Sequence, residues 1–263
     1  MSELFNLIAL GIIEGVTEFL PVSSTGHLLI AEHWLGRRSD VFNVVIQAGA
    51  ILAVVLIYRE RLWQLATGLR DARNRDYAAK LAVSFAITAV IGFIATRLGF
   101  KLPESVTPVA WALILGGFWM IGAETLAAKQ PERNEITWRV AILVGLAQVV
   151  AAIFPGTSRS AATIFVAMLA GTNNRPAATE FAFLVGIPTM FAASGYELLK
   201  SVKSGGAHED WSALAIAFVV SLVTAFVAVK WLLGYIRTHR FTAFAVYRIV
   251  LGIALLIALP AGV

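Results

Sequence analysis

Glu14 and Glu18 stand four residues apart in an apolar stretch, so a helix carries both carboxylates on one face. An ionised carboxylate at mid-bilayer costs about 2.5–3.5 kcal/mol on insertion scales, so the pair calls for a cation, a proton or a basic partner. Two oxygen donors beside water suit a hard divalent ion, Mg²⁺ or Ca²⁺. Pro21-Val-Ser-Ser-Thr-Gly-His27 follows directly, with three hydroxyls, a turn-permitting Gly26 and the His27 imidazole. Backbone N–H groups of such a turn, ahead of a helix starting near His27, form an anion nest. A second loop, Pro155-Gly-Thr-Ser-Arg-Ser160, adds a permanently charged guanidinium that forks onto phosphate. Thr157, Ser158, Ser160 and Thr163 surround it with further donors. The two loops call for phosphate chemistry. Arg159 also suits neutralisation of Glu14 or Glu18, and an ion pair that opens for substrate accommodates both roles.

The elements that position these residues lie in a membrane. The chain has 263 residues, 59% hydrophobic and 14% charged, with mean hydropathy +0.79. So few charges cannot coat a soluble globule of that apolar mass, and the same numbers exclude intrinsic disorder. With no cysteine, disulfides, thiolate metal sites and iron–sulfur clusters are excluded. The net charge of +5 is a matter of topology here, not a nucleic-acid signal. No Lys or Arg precedes Arg37, so the apolar stretch Leu4–Ile13 reads as retained, not as a signal peptide.

The pattern predicts an all-α integral membrane protein in a single membrane domain, residues 1–263. Six spans are expected: Phe42–Tyr58, Leu81–Leu98, Thr107–Ala127, Ala177–Leu199, Trp211–Val229 and Ala243–Pro260. Leu4–Leu35 and Val140–Ala170 are broken near their middles by the two polar loops, which reads as two re-entrant helical hairpins. Thirteen basic residues fall on one side, six of them within Arg59–Lys80, and six on the other, with Arg159 and Arg248 inside the membrane. The richer side is expected to be cytoplasmic. Glu124 and Arg248 are expected to satisfy each other or the cytoplasmic interface. Glu180 is a candidate for the site or for a helix cap. Gly116, Gly117 and Gly122 are expected to permit close helix packing.

Gly11–Gly26 aligns with Gly145–Ser160 at an offset of 134, matching Gly11, Val16, Pro21 and Ser24 to Gly145, Val150, Pro155 and Ser158. Glu14 then faces Gln148, Ser23 faces Thr157 and Thr25 faces Arg159. Each half, about 1–128 and about 135–263, reads as one hairpin followed by three spans. Three being odd, the second half is expected upside down, an inverted-topology repeat with its site at the midplane.

Glu14-Gly-Val-Thr-Glu18-Phe-Leu-Pro-Val-Ser-Ser-Thr-Gly-His27, with Pro155-Gly-Thr-Ser-Arg-Ser160 and Thr163, resembles the undecaprenyl-diphosphate phosphatase family of the bacitracin-resistance type. The resemblance covers essentially the whole chain. It implies hydrolysis of the C55 isoprenyl diphosphate to the monophosphate carrier and inorganic phosphate, in the bacterial plasma membrane, facing outside, with a divalent ion. It carries over Glu14, Glu18, Ser23, Ser24, His27, Ser158, Arg159 and Thr163. On this reading Ser24 is the expected nucleophile, with Glu18 or His27 taking its proton. A phosphohistidine at His27 and direct attack by water stay open. Arg159 is the catalytic cation. Ser23, Thr25, Gly26, Thr157, Ser158, Arg159, Ser160 and Thr163 bind phosphate, and Glu14, Glu18 or both hold the metal. Two departures stand out: Asn43 occupies a position where many members carry Glu, and Ala161 follows Ser-Arg-Ser where Gly is expected. The expected partners are the lipid substrate and membrane lipids, with no nucleic acid and with a homodimer as the assembly to consider. A flippase for the same carrier is the rival reading. It needs a phosphate clamp but not the acid–hydroxyl–imidazole set.

Overall fold

The computed structural model describes residues 3–98, 106–203 and 210–258. Lys101, His208 and the Pro260 end of the sixth expected span lie outside them. The described residues form eleven α-helices and no strand. Five helices are long and apolar enough to cross a membrane: α3 (Asp40–Ile57), α5 (Ala72–Arg97), α6 (Val106–Ala127), α9 (Arg175–Lys203) and α10 (Trp211–Tyr235). The last helix, α11 (Thr242–Ala258), is apolar and 17 residues long where described.

The two interrupted regions are helix–loop–helix hairpins. The first joins α1 (Glu3–Thr17) to α2 (Ser24–Leu35), the second α7 (Trp138–Ile153) to α8 (Arg159–Ala170). The longest of these four helices has 16 residues, a rise of about 24 Å, which falls short of a hydrocarbon core of about 30 Å. The basic connection after α3 is more ordered than its charge suggests. It contains α4 (Arg59–Thr67), and α5 begins at Ala72, nine residues before the expected Leu81. Arg73 and Arg75 ride exposed on the first turns of α5, and Lys80 lies buried a little further along. Lys80 pairs with Asp76 one turn away.

Close contacts between helices set the framework. In the first hairpin, α1 lies against α10, and in the second, α7 lies against α5. A Cβ on Gly11 would sit 2.9 Å from the Ala217 carbonyl of α10. One on the aligned Gly145 would sit 2.7 Å from the Ser84 carbonyl of α5. Small residues let the backbones approach this closely where lipid offers no hydrophobic drive for association. The α1–α10 seam is tightest at Gly15, whose Cβ would fall 2.0 Å from Thr224 Oγ1 and 2.5 Å from the Ser221 carbonyl. Ser221 in turn donates to the Ile46 carbonyl of α3 at 2.7 Å. Gly116 and Gly117 face α11 at close range, as expected, whereas a Cβ on Gly122 would meet nothing within 4 Å.

Glu124 and Arg248 do not pair. Glu124 accepts from Arg175 Nε at 2.6 Å and from the Phe241 backbone N–H. Spacing along the chain gave no sign of this, because Arg175 begins a helix of the other half. Arg248 is consumed by backbone carbonyls, as described below.

The seams give a direct test. Gly15→Val must displace Ser221 or Thr224, an overpacking cost of roughly 1–3 kcal/mol. The expected outcome is a lowered thermal unfolding midpoint of the detergent-solubilised protein, with Gly122→Val close to wild type.

Candidate active site

Both hairpin loops end on a serine held in the left-handed region. Ser23 has φ 76° and Ser158 φ 67°, and these are the non-glycine positive-φ residues among those described. Such a conformation costs of order 1–3 kcal/mol and persists only where the surroundings enforce it. Each serine caps its helix: Ser23 Oγ accepts from the Gly26 N–H at 3.4 Å, and Ser158 Oγ from the Ala161 N–H at 3.2 Å. These caps revise the alignment inside the loops. Ser23 is the counterpart of Ser158 and Ser24 that of Arg159, one residue off the offset read before the prolines. The extra residue is Gly156, whose φ of 89° and close approach to Val109 (a Cβ would lie 2.9 Å from its carbonyl) both require glycine. The helix after the first loop, α2, therefore begins at Ser24, three residues before His27.

Ser24 and Arg159, the first residues of α2 and α8, meet at one carboxylate. Glu18 accepts from Ser24 Oγ on Oε2 and from an Arg159 guanidinium N–H at 3.1 Å on Oε1. The Glu18 side chain is 4% exposed and that of Arg159 is 28%. The acid is thus buried while the cation keeps an open flank. Glu14 lies one turn behind Glu18, whose N–H bonds the Glu14 carbonyl at 2.9 Å. Glu14 is fully buried, and its Oε2 has no hydrogen-bond partner.

A cavity of about 230 Å³ opens at this junction. Glu18, Ser23, Ser24, Thr25, Ser158 and Arg159 line it from the loops, and Gln47, Thr88, Gln148 and Thr189 from α3, α5, α7 and α9. It is wide enough for a phosphate and a few waters. The remaining expected residues are placed around it rather than in it. Ser160 Oγ donates to the Leu20 carbonyl at 2.9 Å, tying the second loop to the first. Thr163 gives its hydroxyl to the Arg159 carbonyl at 2.7 Å, and Gly26 lies buried against Val109. Thr157 contributes its carbonyl to Arg248. His27 has both ring nitrogens engaged: Nδ1 donates to the Ser23 carbonyl at 2.7 Å, leaving Nε2 to accept from the Tyr247 hydroxyl at 2.7 Å. Asn43 is not among the lining residues, and Glu180 pairs with Arg61 at 3.2 Å beside a separate cavity.

Tyr247 escaped the sequence reading, and Arg248 was noticed there without its role in the loops. Arg248 is fully buried, and no ion pair to it is seen among the described residues. Its five N–H groups reach the carbonyls of Pro21, Ala112, Leu113, Gly156 and Thr157 at 2.9–3.5 Å. Pro21 belongs to the first loop, Gly156 and Thr157 to the second, so one guanidinium clamps both. Gly116 leaves the room: a Cβ there would fall 2.3 Å from the guanidinium. The available sequence signal was a charge within an apolar span, which by itself names no partner.

Comparison with known proteins settles the family. Residues 7–254 match the model described as "Bacitracin resistance protein BacA". The chain belongs to the BacA family. A relative from Rhizobium etli named undecaprenyl-diphosphatase is 69% identical over 255 residues, covering 97% of this chain and 96% of its own. One of the same name from Rhizobium leguminosarum bv. trifolii is 70% identical over 256 residues, with the same coverage. Another from Xanthomonas euvesicatoria is 64% identical over 263 residues, covering 100% and 99%. In this BacA chain the matched region takes in both hairpin loops and every residue of the loop cavity.

The clamp is testable. Arg248→Met strands five carbonyls, and hydrogen bonds to a charged donor are worth about 1.5–3 kcal/mol each before relaxation. The variant is expected to unfold at a markedly lower temperature in detergent. Arg248→Lys, with three donors instead of five, is expected to fall between it and wild type.

Proposed function

We propose that this chain hydrolyses undecaprenyl diphosphate to undecaprenyl phosphate and inorganic phosphate in the cavity between the two loops. The observation that carries this reading is Glu18, one buried carboxylate accepting at once from a serine hydroxyl and an arginine. The BacA family match and the names of the relatives agree with it. The reaction recycles the lipid carrier of cell-wall synthesis, which fits a family described by bacitracin resistance.

The chain's own groups divide the work. Phosphoryl transfer depends chiefly on positioning and charge neutralisation. Arg159, with its open flank, exchanges part of its pairing with Glu18 for the terminal phosphate. The N–H groups at the starts of α2 and α8 add donors to phosphate oxygens. Ser24 Oγ attacks the terminal phosphorus while Glu18 takes the hydroxyl proton, and the departing group is the lipid monophosphate. His27, engaged on both nitrogens, orients the Ser23 turn. Glu14 and Glu18 fit a hard divalent ion, Mg²⁺ or Ca²⁺, because Glu14 Oε2 is a buried carboxylate oxygen with no partner. Among the described residues no set of three acidic or histidine ligands converges, so the substrate's phosphate oxygens and water would complete the shell. Such an ion would neutralise charge on the diphosphate.

The layout that supports this reading has six spans and two re-entrant hairpins related by an inverted repeat. The paired seams α1–α10 and α7–α5, the aligned glycines in them and the matching strained caps favour that relation. The excess of basic residues supports a cytoplasmic location for the Arg59–Lys80 end, and entry of the lipid carrier from the outer leaflet is the part of the reading that follows from the family resemblance. A flippase would use Arg159 and backbone donors, but the Ser24–Glu18 hydrogen bond would have no task.

Ser24→Ala and Glu18→Gln are each expected to reduce phosphate release from the C55 diphosphate by at least about a hundredfold in detergent, while retaining the wild-type elution profile. Activity near wild type in both would refute the assignment. Chelation of divalent ions is expected to stop release, and added Mg²⁺ or Ca²⁺ to restore it.

A further inference from the structure

Hydrolysis has two substrates, and the loops account for one of them. Water also needs a place. Glu18 has both oxygens committed, to Ser24 and Arg159. Thr189 spends its hydroxyl on the Val185 carbonyl at 2.9 Å. Gln148 differs. It is 1% exposed, it lines the cavity, and its side-chain oxygen has no hydrogen-bond partner.

A relay across two helices fixes which end of the Gln148 amide is unpaired. Thr88 Oγ1 on α5 lies 2.9 Å from the Gly145 carbonyl and 3.1 Å from that of Ser84, both of which only accept. The Thr88 proton is therefore used, and its lone pair accepts from Gln148 Nε2 at 3.2 Å. That leaves Oε1 as a buried acceptor without a partner, on a side chain that lines the polar cavity. An orphan carbonyl oxygen repels phosphate oxygens but suits a donor that carries two protons. The position is also the one that aligns with Glu14, so each hairpin carries a buried acceptor without a partner at the matching place in its first helix.

We propose that Gln148, oriented by Thr88, holds the hydrolytic water. The inference rests on the reading of the loop cavity as the site of phosphoryl transfer to Ser24. Water's oxygen bonds to the phosphorus carried on Ser24 Oγ, and the P–Oγ bond breaks. One water proton returns to Oγ by way of Glu18, and the other leaves on hydrogen phosphate. Gln148 takes no proton. It points the water, as a glutamine does in some nucleotide hydrolases. Gln148 and Thr88 are positioning residues on this account.

The test uses the full chain in detergent with C55 diphosphate, with and without methanol as a rival nucleophile. Gln148→Met removes the acceptor at nearly constant volume. It should lower kcat by about tenfold with KM within about twofold. It should also raise the ratio of methyl phosphate to inorganic phosphate several-fold, since methanol does not rely on the lost contact. That ratio is independent of how much protein is folded. Thr88→Val should shift it in the same direction and Thr88→Ser should restore it, and this pair carries the test if Gln148→Met does not fold. An unchanged product ratio in Gln148→Met or Thr88→Val overturns the inference. If Ser24→Ala retains near-normal turnover, the site reading fails instead, whatever the ratio.

Discussion

Everything in the loop region depends on one buried carboxylate with two suitors. Glu18 is nearly sealed from solvent, and its charge there would be prohibitive without compensation. Arg159 supplies the countercharge from the other hairpin and Ser24 a hydroxyl from its own. The interaction therefore does two things at once. It joins two residues 141 positions apart in the chain, and it leaves a hydroxyl beside a carboxyl group and a cation. Removing one partner does not simply lose a contact, since it leaves an unpaired charge in a cavity.

The rest of the architecture reads as the means of holding that junction. Two serines are forced into the left-handed region so that Ser24 and Arg159 can each begin a helix aimed at the same point. Their strain is offset by ties that cross between loops: Ser160 to the Leu20 carbonyl, and Arg248 to carbonyls of both. Close helix seams at glycine hold the hairpins against α10 and α5. A cage of carbonyls around a fully buried guanidinium is a costly device, and it is placed where both loops must stay in register.

Much of the site was legible because buried charge is scarce in an apolar chain. Glu14, Glu18, Arg159 and the two proline-containing loops stood out on type and spacing alone, as did the helical class and the positions of five spans. What escaped was anything decided by three-dimensional partnership. Arg248 looked like a mate for Glu124 or for the cytoplasmic interface, but carbonyls of five residues satisfy it and Arg175 takes the glutamate. The one-residue slip that pairs Ser23 with Ser158 was hidden because identity at Ser24 and Ser158 favoured the wrong register. Only cap geometry and the positive φ of Gly156 reveal it. Thr163 and Ser160 looked like phosphate donors, yet their hydroxyls go to backbone carbonyls.

The central claim is that Glu18 and Arg159 act as one unit across the two hairpins, and a double-mutant cycle on kcat/KM for phosphate release measures it directly. Glu18→Gln, Arg159→Gln and the double variant are compared with the wild-type chain. Residues acting as a unit are strongly non-additive. The account predicts that the double variant loses no more than the worse single variant. Losses that simply add in free energy would show two independent sites and contradict it.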